Sequence, residues 1–212
     1  FTSGTTSQPK GIVHDFNDLI GNAEAFNKAT DLDDRVFMKH VFPVGYMAGL
    51  LNTFISPILA GGKVFFSEKF SPKSALSFWE EAIEKGINSL WLAPTMLSIL
   101  STLDRGKHKD WTKKNIKNVF VGTGPLYSSV KNEFEEKFGV RCLESYGMTE
   151  CMFISTNSRF KDSTQGFSGR FLKGVDCKII KDNQSLDREN DLRGKIMINS
   201  EYMMKGYLDE VT

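Results

Sequence analysis

The strongest constraint on the fold is an alternation. Short runs rich in β-branched and aromatic residues, at 35–41 (RVFMKHV), 63–67 (KVFFS), 89–92 (SLWL), 118–121 (NVFV) and 140–144 (VRCLE), are each bounded by Gly, Pro or charge and separated by helix-like stretches. Strand, helix, strand in regular succession predicts parallel pairing through crossovers. The helices are expected at 14–29, 47–59, 71–85, 95–103 and 128–138. The third is best marked: Ser71 suits the N-cap, Pro72 the first helical position, and Gly86 the left-handed residue after the end, with Leu76, Phe78, Trp79, Ala82 and Ile83 as the apolar stripe. After about Gly166 helical spacing disappears, and VDCKII (175–180) and KIMINS (195–200) flank the polar turn DNQSLDREND. The expected fold class is therefore α/β: a mostly parallel sheet with flanking helices over 1–165, then the start of a smaller antiparallel β subdomain over 166–212. Both ends read as cut, since Phe1 opens inside a functional loop and the tail EYMMKGYLDEVT carries no stop signal.

Charge and cysteine usage exclude several functions. The 27 Lys and Arg against 26 Asp and Glu in 212 residues leave a formal net of +1, so no global field draws the chain to nucleic acid or anionic membrane. The basic run 105–117, with Trp111 interleaved, is diluted by Asp104 and Asp110 and reads as a solvated connection. Cys142, Cys151 and Cys177 form no CxxC pair, and His14, His40 and His108 are isolated; both facts argue against a disulfide framework or structural zinc and fit a reducing cytoplasm. The apolar stretch 41–60 is broken by Pro43, Gly45, Gly49 and Pro57 and contains Asn52, which suits a strand end and core helix and not a transmembrane segment.

Residues 2–11, TSGTTSQPKG, are built for an anion: the hydroxyls of Thr2, Ser3, Thr5, Thr6 and Ser7 supply donors, Gly4 and Gly11 let backbone N–H groups approach, and Lys10 adds a point charge. The GxxxxGK[ST] fingerprint fails here, because Pro9 precedes the lysine and Gly11 follows it. Taken alone, the segment suits a phosphate cradle and a hydrophilic turn equally.

FTSGTTSQPKG resembles the [YF]TSGTTGxPKG signature of the adenylate-forming superfamily, which comprises acyl-CoA and aryl-CoA synthetases, non-ribosomal peptide adenylation domains and luciferases; Ser7 stands where that family usually has Gly. A second match follows in order, YGMTE at 146–150 against YGxTE. VGTGPL (121–126) is similar to the family's SGGAPL segment, FPVGYMAGL (42–50) to PxxHxxGL with Tyr46 in the His position, and RGKIMINSEYMMKGYLDEVT to GEIxVxGxxxMxGY with Lys195 in place of Glu. The likeness covers essentially the whole chain but only the middle of such an enzyme's large N-terminal domain. The family's ribose-binding Asp, its hinge and its C-terminal domain with a catalytic Lys are not matched, so the resemblance implies a piece unable to turn over efficiently by itself.

The resemblance implies an ATP-dependent ligase: a carboxylate attacks the α-phosphorus of Mg·ATP, pyrophosphate leaves, and a thiol takes the acyl group from the adenylate with release of AMP. It assigns Thr2, Ser3, Gly4, Thr5, Thr6 and Lys10 to the β and γ phosphates, Gly122, Thr123, Gly124, Tyr146 and Gly147 to the nucleotide's base side, Thr149 to the α-phosphate and Glu150 to Mg²⁺. Lys10, Thr149 and Glu150 make the catalytic set. Tyr46, Met47 and Met148, with Phe153, would wall the acid pocket, and the absence of any acidic residue in FPVGYMAGL favours an uncharged acyl or aryl tail over an amino acid. The implied partners are a small carboxylic acid and coenzyme A, with no nucleic acid. Two alternatives stand: an amino-acid or aryl-acid adenylation domain loading a carrier-protein thiol, and a catalytically silent nucleotide-binding module that has accumulated Ser7, Tyr46 and Lys195 as departures.

Overall fold

The computed structural model describes residues 1, 9–158, 167–181, 184–185 and 194–208. The chain enters through β1 (Ile12–Val13), α1 (Phe16–Thr30) and β2 (Phe37–His40), then a π-helix (Ala48–Ile55) that runs into α2 (Ser56–Leu59). Next come β3 (Lys63–Phe66), α3 (Pro72–Ala75), α4 (Phe78–Lys85), β4 (Ser89–Leu92), α5 (Pro94–Leu103), α6 (Lys109–Asn115), β5 (Asn118–Val121) and α7 (Ser128–Phe138). Then follow β6 (Cys142–Met148), β7 (Met152–Thr156), β8 (Arg170–Phe171), β9 (Val175–Lys181), β10 (Gln184–Ser185), β11 (Lys195–Ser200) and β12 (Gly206–Tyr207).

The main sheet has seven strands in the order β3-β2-β4-β5-β6-β7-β8. Pairing is parallel from β3 to β6, as the alternation predicts, and antiparallel from β6 through β8. Every residue of β4 and β5 is buried, because these central strands are covered on both faces. Phe26 of α1 packs into the sheet against Phe153 at 4.1 Å between ring centroids, Phe120 at 5.2 Å and Trp91 at 5.5 Å. Burying each of these rings stabilises the fold by roughly 1.5–3 kcal/mol relative to exposure. A separate three-stranded antiparallel sheet, β10-β9-β11, forms from the VDCKII and KIMINS runs.

Several elements differ from expectation, each for a local reason. The helix over 71–85 is broken in two: the Ser71–Ser74 capping box starts α3 as expected, but Leu76 (67% exposed) and Ile83 (39% exposed) fall off the buried stripe, which is Ala75, Phe78, Trp79 and Ala82. Gly86 ends α4 at φ 71°, in the left-handed region its position requires. The helix over 47–59 is wound as a π-helix for most of its length. Gly49, its second residue, sits where a Cβ would lie 2.0 Å from the Pro43 carbonyl oxygen, and Thr53 Oγ1 donates to the carbonyls of Ala48 and Gly49 while contacting His40 Nδ1 at 2.7 Å. The basic run 105–117 contains α6, whose Thr112 side chain is buried and donates to the Phe138 carbonyl; only the opposite face is solvated. Finally, β6 extends through Met148, so the first three residues of YGMTE are strand and not a turn after it. Among the described residues no helix is long and apolar enough to cross a membrane.

Candidate functional site

The carboxyl ends of the parallel strands carry most of the residues singled out above, at the edge where open α/β sheets hold ligands. Gly122–Gly124 follows β5. Gly122 N donates to Leu92 O at 3.3 Å, and a Cβ on Gly122 would stand 3.1 Å from Ser145 O, so glycine lets the loop sit close against β6. Thr123 adopts φ 69°, an unusual conformation for a β-branched residue, and both Thr123 and Gly124 are exposed.

From Ser145 onward, β6 leaves the parallel part of the sheet and pairs with β7, with a register shift between Tyr146 and Gly147. Gly147 is required there: a Cβ would lie 2.3 Å from Met152 O. The side chains of Tyr146 and Met148 are exposed, and Thr149 and Glu150 stand half-buried in the turn, which Cys151 N closes on Met148 O at 3.2 Å. Glu144, earlier on β6, is held by Lys131 of α7 in a buried ion pair of 2.8 Å that fixes the strand feeding this turn.

Three contacts from distant segments lock the turn. His14 Nε2 lies 2.6 Å from Thr149 O, Met204 N donates to Glu150 O at 2.9 Å, and the Tyr207 hydroxyl reaches Glu150 Oε1 at 3.4 Å. The ribbon of β1 with β12 makes this possible: Ile12 pairs with Tyr207, Leu208 N donates to Gly11 O at 2.9 Å and Lys205 N to Val13 O at 2.8 Å. Lys10, immediately before the ribbon, places Nζ 4.8 Å from the centre of the Tyr207 ring. One aromatic side chain thus has the loop's cation on its face and the turn's carboxylate at its hydroxyl. Thr2, Ser3, Gly4, Thr5, Thr6 and Ser7 lie outside the described residues.

The expected acid-pocket residues are more dispersed. Tyr46, two residues before the π-helix, has its carbonyl accepting from Gly49 N and Leu50 N and its ring 6.2 Å from that of Phe42, and burial pushes its phenol pKa up. Tyr46 and Met47 follow β2 whereas Met148 ends β6, and the intervening β4 and β5 separate them by about 14 Å of strand spacing. Phe153 does not belong with them. It is 3% exposed and stacked on Phe26, a core residue and not a pocket wall.

Chemically, the arrangement offers a cation, a hydroxyl and a carboxylate around one turn beside two close-approach glycines. A lone carboxylate with a neighbouring hydroxyl suits Mg²⁺, which keeps several waters and takes its remaining ligands from phosphate oxygens. Motif matching missed His14, and although Tyr207 ends the matched GY segment, the match assigned it no role; long-range pairing brings both to the turn.

The sequence profile of a family described as AMP-binding enzyme matches residues 1–208. A malonate–CoA ligase from Arabidopsis thaliana is 30% identical across all of this chain, which spans 37% of that protein. ATP-bound MatB from Rhodopseudomonas palustris superposes with a TM-score of 0.86 at 25% identity, over 97% of this chain and 40% of that one. O-succinylbenzoate coenzyme A synthetase (MenE) from Bacillus subtilis, in complex with ATP and magnesium ion, gives 0.80 at 26% identity, over 97% and 41%.

Proposed function

The chain belongs to the AMP-binding enzyme family, and on that premise we propose that the protein carrying it is an acid–thiol ligase. It activates a small carboxylic acid with ATP to an acyl-adenylate and passes the acyl group to coenzyme A. The observation that carries this reading is the convergence of Lys10, Thr149 and Glu150 around Tyr207 and the β1–β12 ribbon. The ATP-bound and ATP–magnesium complexes of MatB and MenE support the nucleotide and ion, and the Arabidopsis ligase supports coenzyme A as acceptor.

Each residue then has a physical task. The Lys10 ammonium, with Thr2, Ser3, Gly4, Thr5 and Thr6, neutralises and orients the β and γ phosphates. Gly122, Thr123, Gly124 and Gly147 let backbone approach the nucleotide, with Tyr146 offering an aromatic face to adenine. Thr149 donates to the α-phosphate, and Glu150 holds Mg²⁺, which when bound screens the charge that develops on the phosphates. Holding the acid oxygen in line with phosphorus does the rest, since most of the catalysis lies in positioning. Tyr46 and Met47 after β2 and Met148 at the end of β6 would border the acid from opposite sides, and the absence of an acidic residue in FPVGYMAGL supports an acid without an ammonium group. We assign 1–165 to this core and 166–212 to a β-rich subdomain; the boundary lies outside the described residues, and β8 still belongs to the main sheet. The three free thiols support a reducing cytoplasm as the compartment.

Acid-dependent ATP–pyrophosphate exchange tests the reading. The full-length protein is assayed with fatty, aromatic, dicarboxylic and amino acids, beside Lys10→Ala. Exchange with one acid class, lower by about 100-fold in the variant, is expected from loss of one charged transition-state contact. ATP binding without exchange for any acid would refute it in favour of a silent nucleotide-binding module.

A further inference from the structure

We propose that His14 is a positioning residue that couples the Lys10 segment to the Thr149–Glu150 turn, so that Mg²⁺ and the ATP phosphates strengthen each other's binding through it. The inference rests on the assignment of Lys10 and Glu150 to Mg·ATP made above. His14 lies four residues beyond Lys10, just past β1, and its Nε2 is 2.6 Å from Thr149 O. A carbonyl oxygen only accepts, so Nε2 carries the proton. The other ring nitrogen, Nδ1, is buried with no hydrogen-bond partner among the described residues, so the polar contact of this imidazole is spent on the turn.

The turn needs such an anchor. Its two consecutive carbonyls are held from different segments, Thr149 O by His14 and Glu150 O by Met204 N. With both tied, the peptide groups on either side of the Glu150 Cα are held, which restrains the backbone from which the Thr149 hydroxyl and Glu150 carboxylate project. The Met204 anchor is backbone and lies two residues before the far strand of the ribbon; the His14 anchor is the one that shares a segment with Lys10. A phosphate that draws in Lys10 therefore pulls on the residue that orients the ion's ligand. Reciprocity follows from thermodynamics: whatever Mg²⁺ at Glu150 gains from an ordered turn, ATP at Lys10 gains from the ion.

The test is equilibrium titration of the full-length protein with ATP, once with Mg²⁺ and once with EDTA, for the wild type, His14→Phe, His14→Gln, Lys10→Ala and Glu150→Gln. Phe keeps the ring and loses the donor, whereas Gln places a donor nitrogen at a similar reach. His14→Phe is expected to lose about tenfold in ATP affinity with Mg²⁺ but less than about twofold with EDTA, a coupling in the range usual between linked sites. His14→Gln is expected to recover most of that loss. Melting temperatures are recorded alongside, and His14→Leu replaces Phe if Phe lowers the midpoint. The inference is overturned if His14→Phe keeps the wild-type response to Mg²⁺, if it weakens ATP equally in EDTA, or if Gln fails to rescue. Wild-type-like binding by both Lys10→Ala and Glu150→Gln would instead sink the site assignment, and the coupling with it; normal controls with a neutral His14→Phe would sink the coupling alone.

Discussion

Replacing Lys131 with Met isolates what the buried ion pair beneath the site contributes. Lys131 Nζ and Glu144 Oε1 are 2.8 Å apart with side chains only 8% and 10% exposed, so removing the ammonium leaves a carboxylate without its counter-ion in a place water hardly reaches. Breaking such a pair costs about 3–5 kcal/mol, whereas replacing both partners by apolar groups is often neutral or better. With an m-value of about 2 kcal/mol/M, Lys131→Met should lower the urea midpoint by roughly 1.5–2.5 M. Lys131→Met combined with Glu144→Leu should recover most of that loss, although it removes more polar groups. The assay is urea unfolding followed by tryptophan fluorescence, since Trp91 and Trp79 are buried. A single variant within about 1 kcal/mol of wild type, or a double variant no better than the single, would show that the pair is solvated in practice and that the desolvation argument is wrong.

Two further outcomes follow from the geometry. Gly147→Ala should destabilise the protein by roughly 1–3 kcal/mol and weaken ATP binding, because the new Cβ would sit 2.3 Å from backbone, while Gly124→Ala, whose nearest neighbour is a Pro94 carbon at 4.0 Å, should leave the urea midpoint unchanged. His40 is buried and its pKa is held below the ordinary 6.5, so on acidification the unfolded chain takes up the proton first; stability should fall as pH drops below 6.5, and midpoints of His40→Gln measured between pH 7 and 5 should fall less than wild type.

What could be read from sequence, and what could not, divides by contact range. β4, β5 and α7 appear at the residues expected, because a continuous apolar run or a helical stripe ended by glycine is a local signal. β7 went unread: Met152–Thr156 follows the motif with no turn chemistry, and it is a strand because β6 doubles back on a register shift at Gly147. Helix α6 was obscured by its lysines, since seven residues give too few turns for Thr112 and Trp111 to establish a period. In the site, Lys10, Tyr146, Thr149 and Glu150 announce themselves by motif. His14 does not, and Tyr207, which ends the matched GY segment, gains its role at this turn only once residue 12 pairs with residue 207.

That pairing also sets the order of events on the ribosome. The parallel sheet from β3 to β6 can close once residue 148 has emerged, but the ribbon that seats Lys10 beside Glu150 must wait for Tyr207, and contacts of such long sequence separation are slow to form. The side of the proposed nucleotide site that carries Lys10 is therefore joined to the Glu150 turn only after the sheet's strands are complete. On the proposed assignment of Lys10 and Glu150, ATP would meet a sheet formed before the ribbon, and its binding energy would go into holding the two edges of the site together.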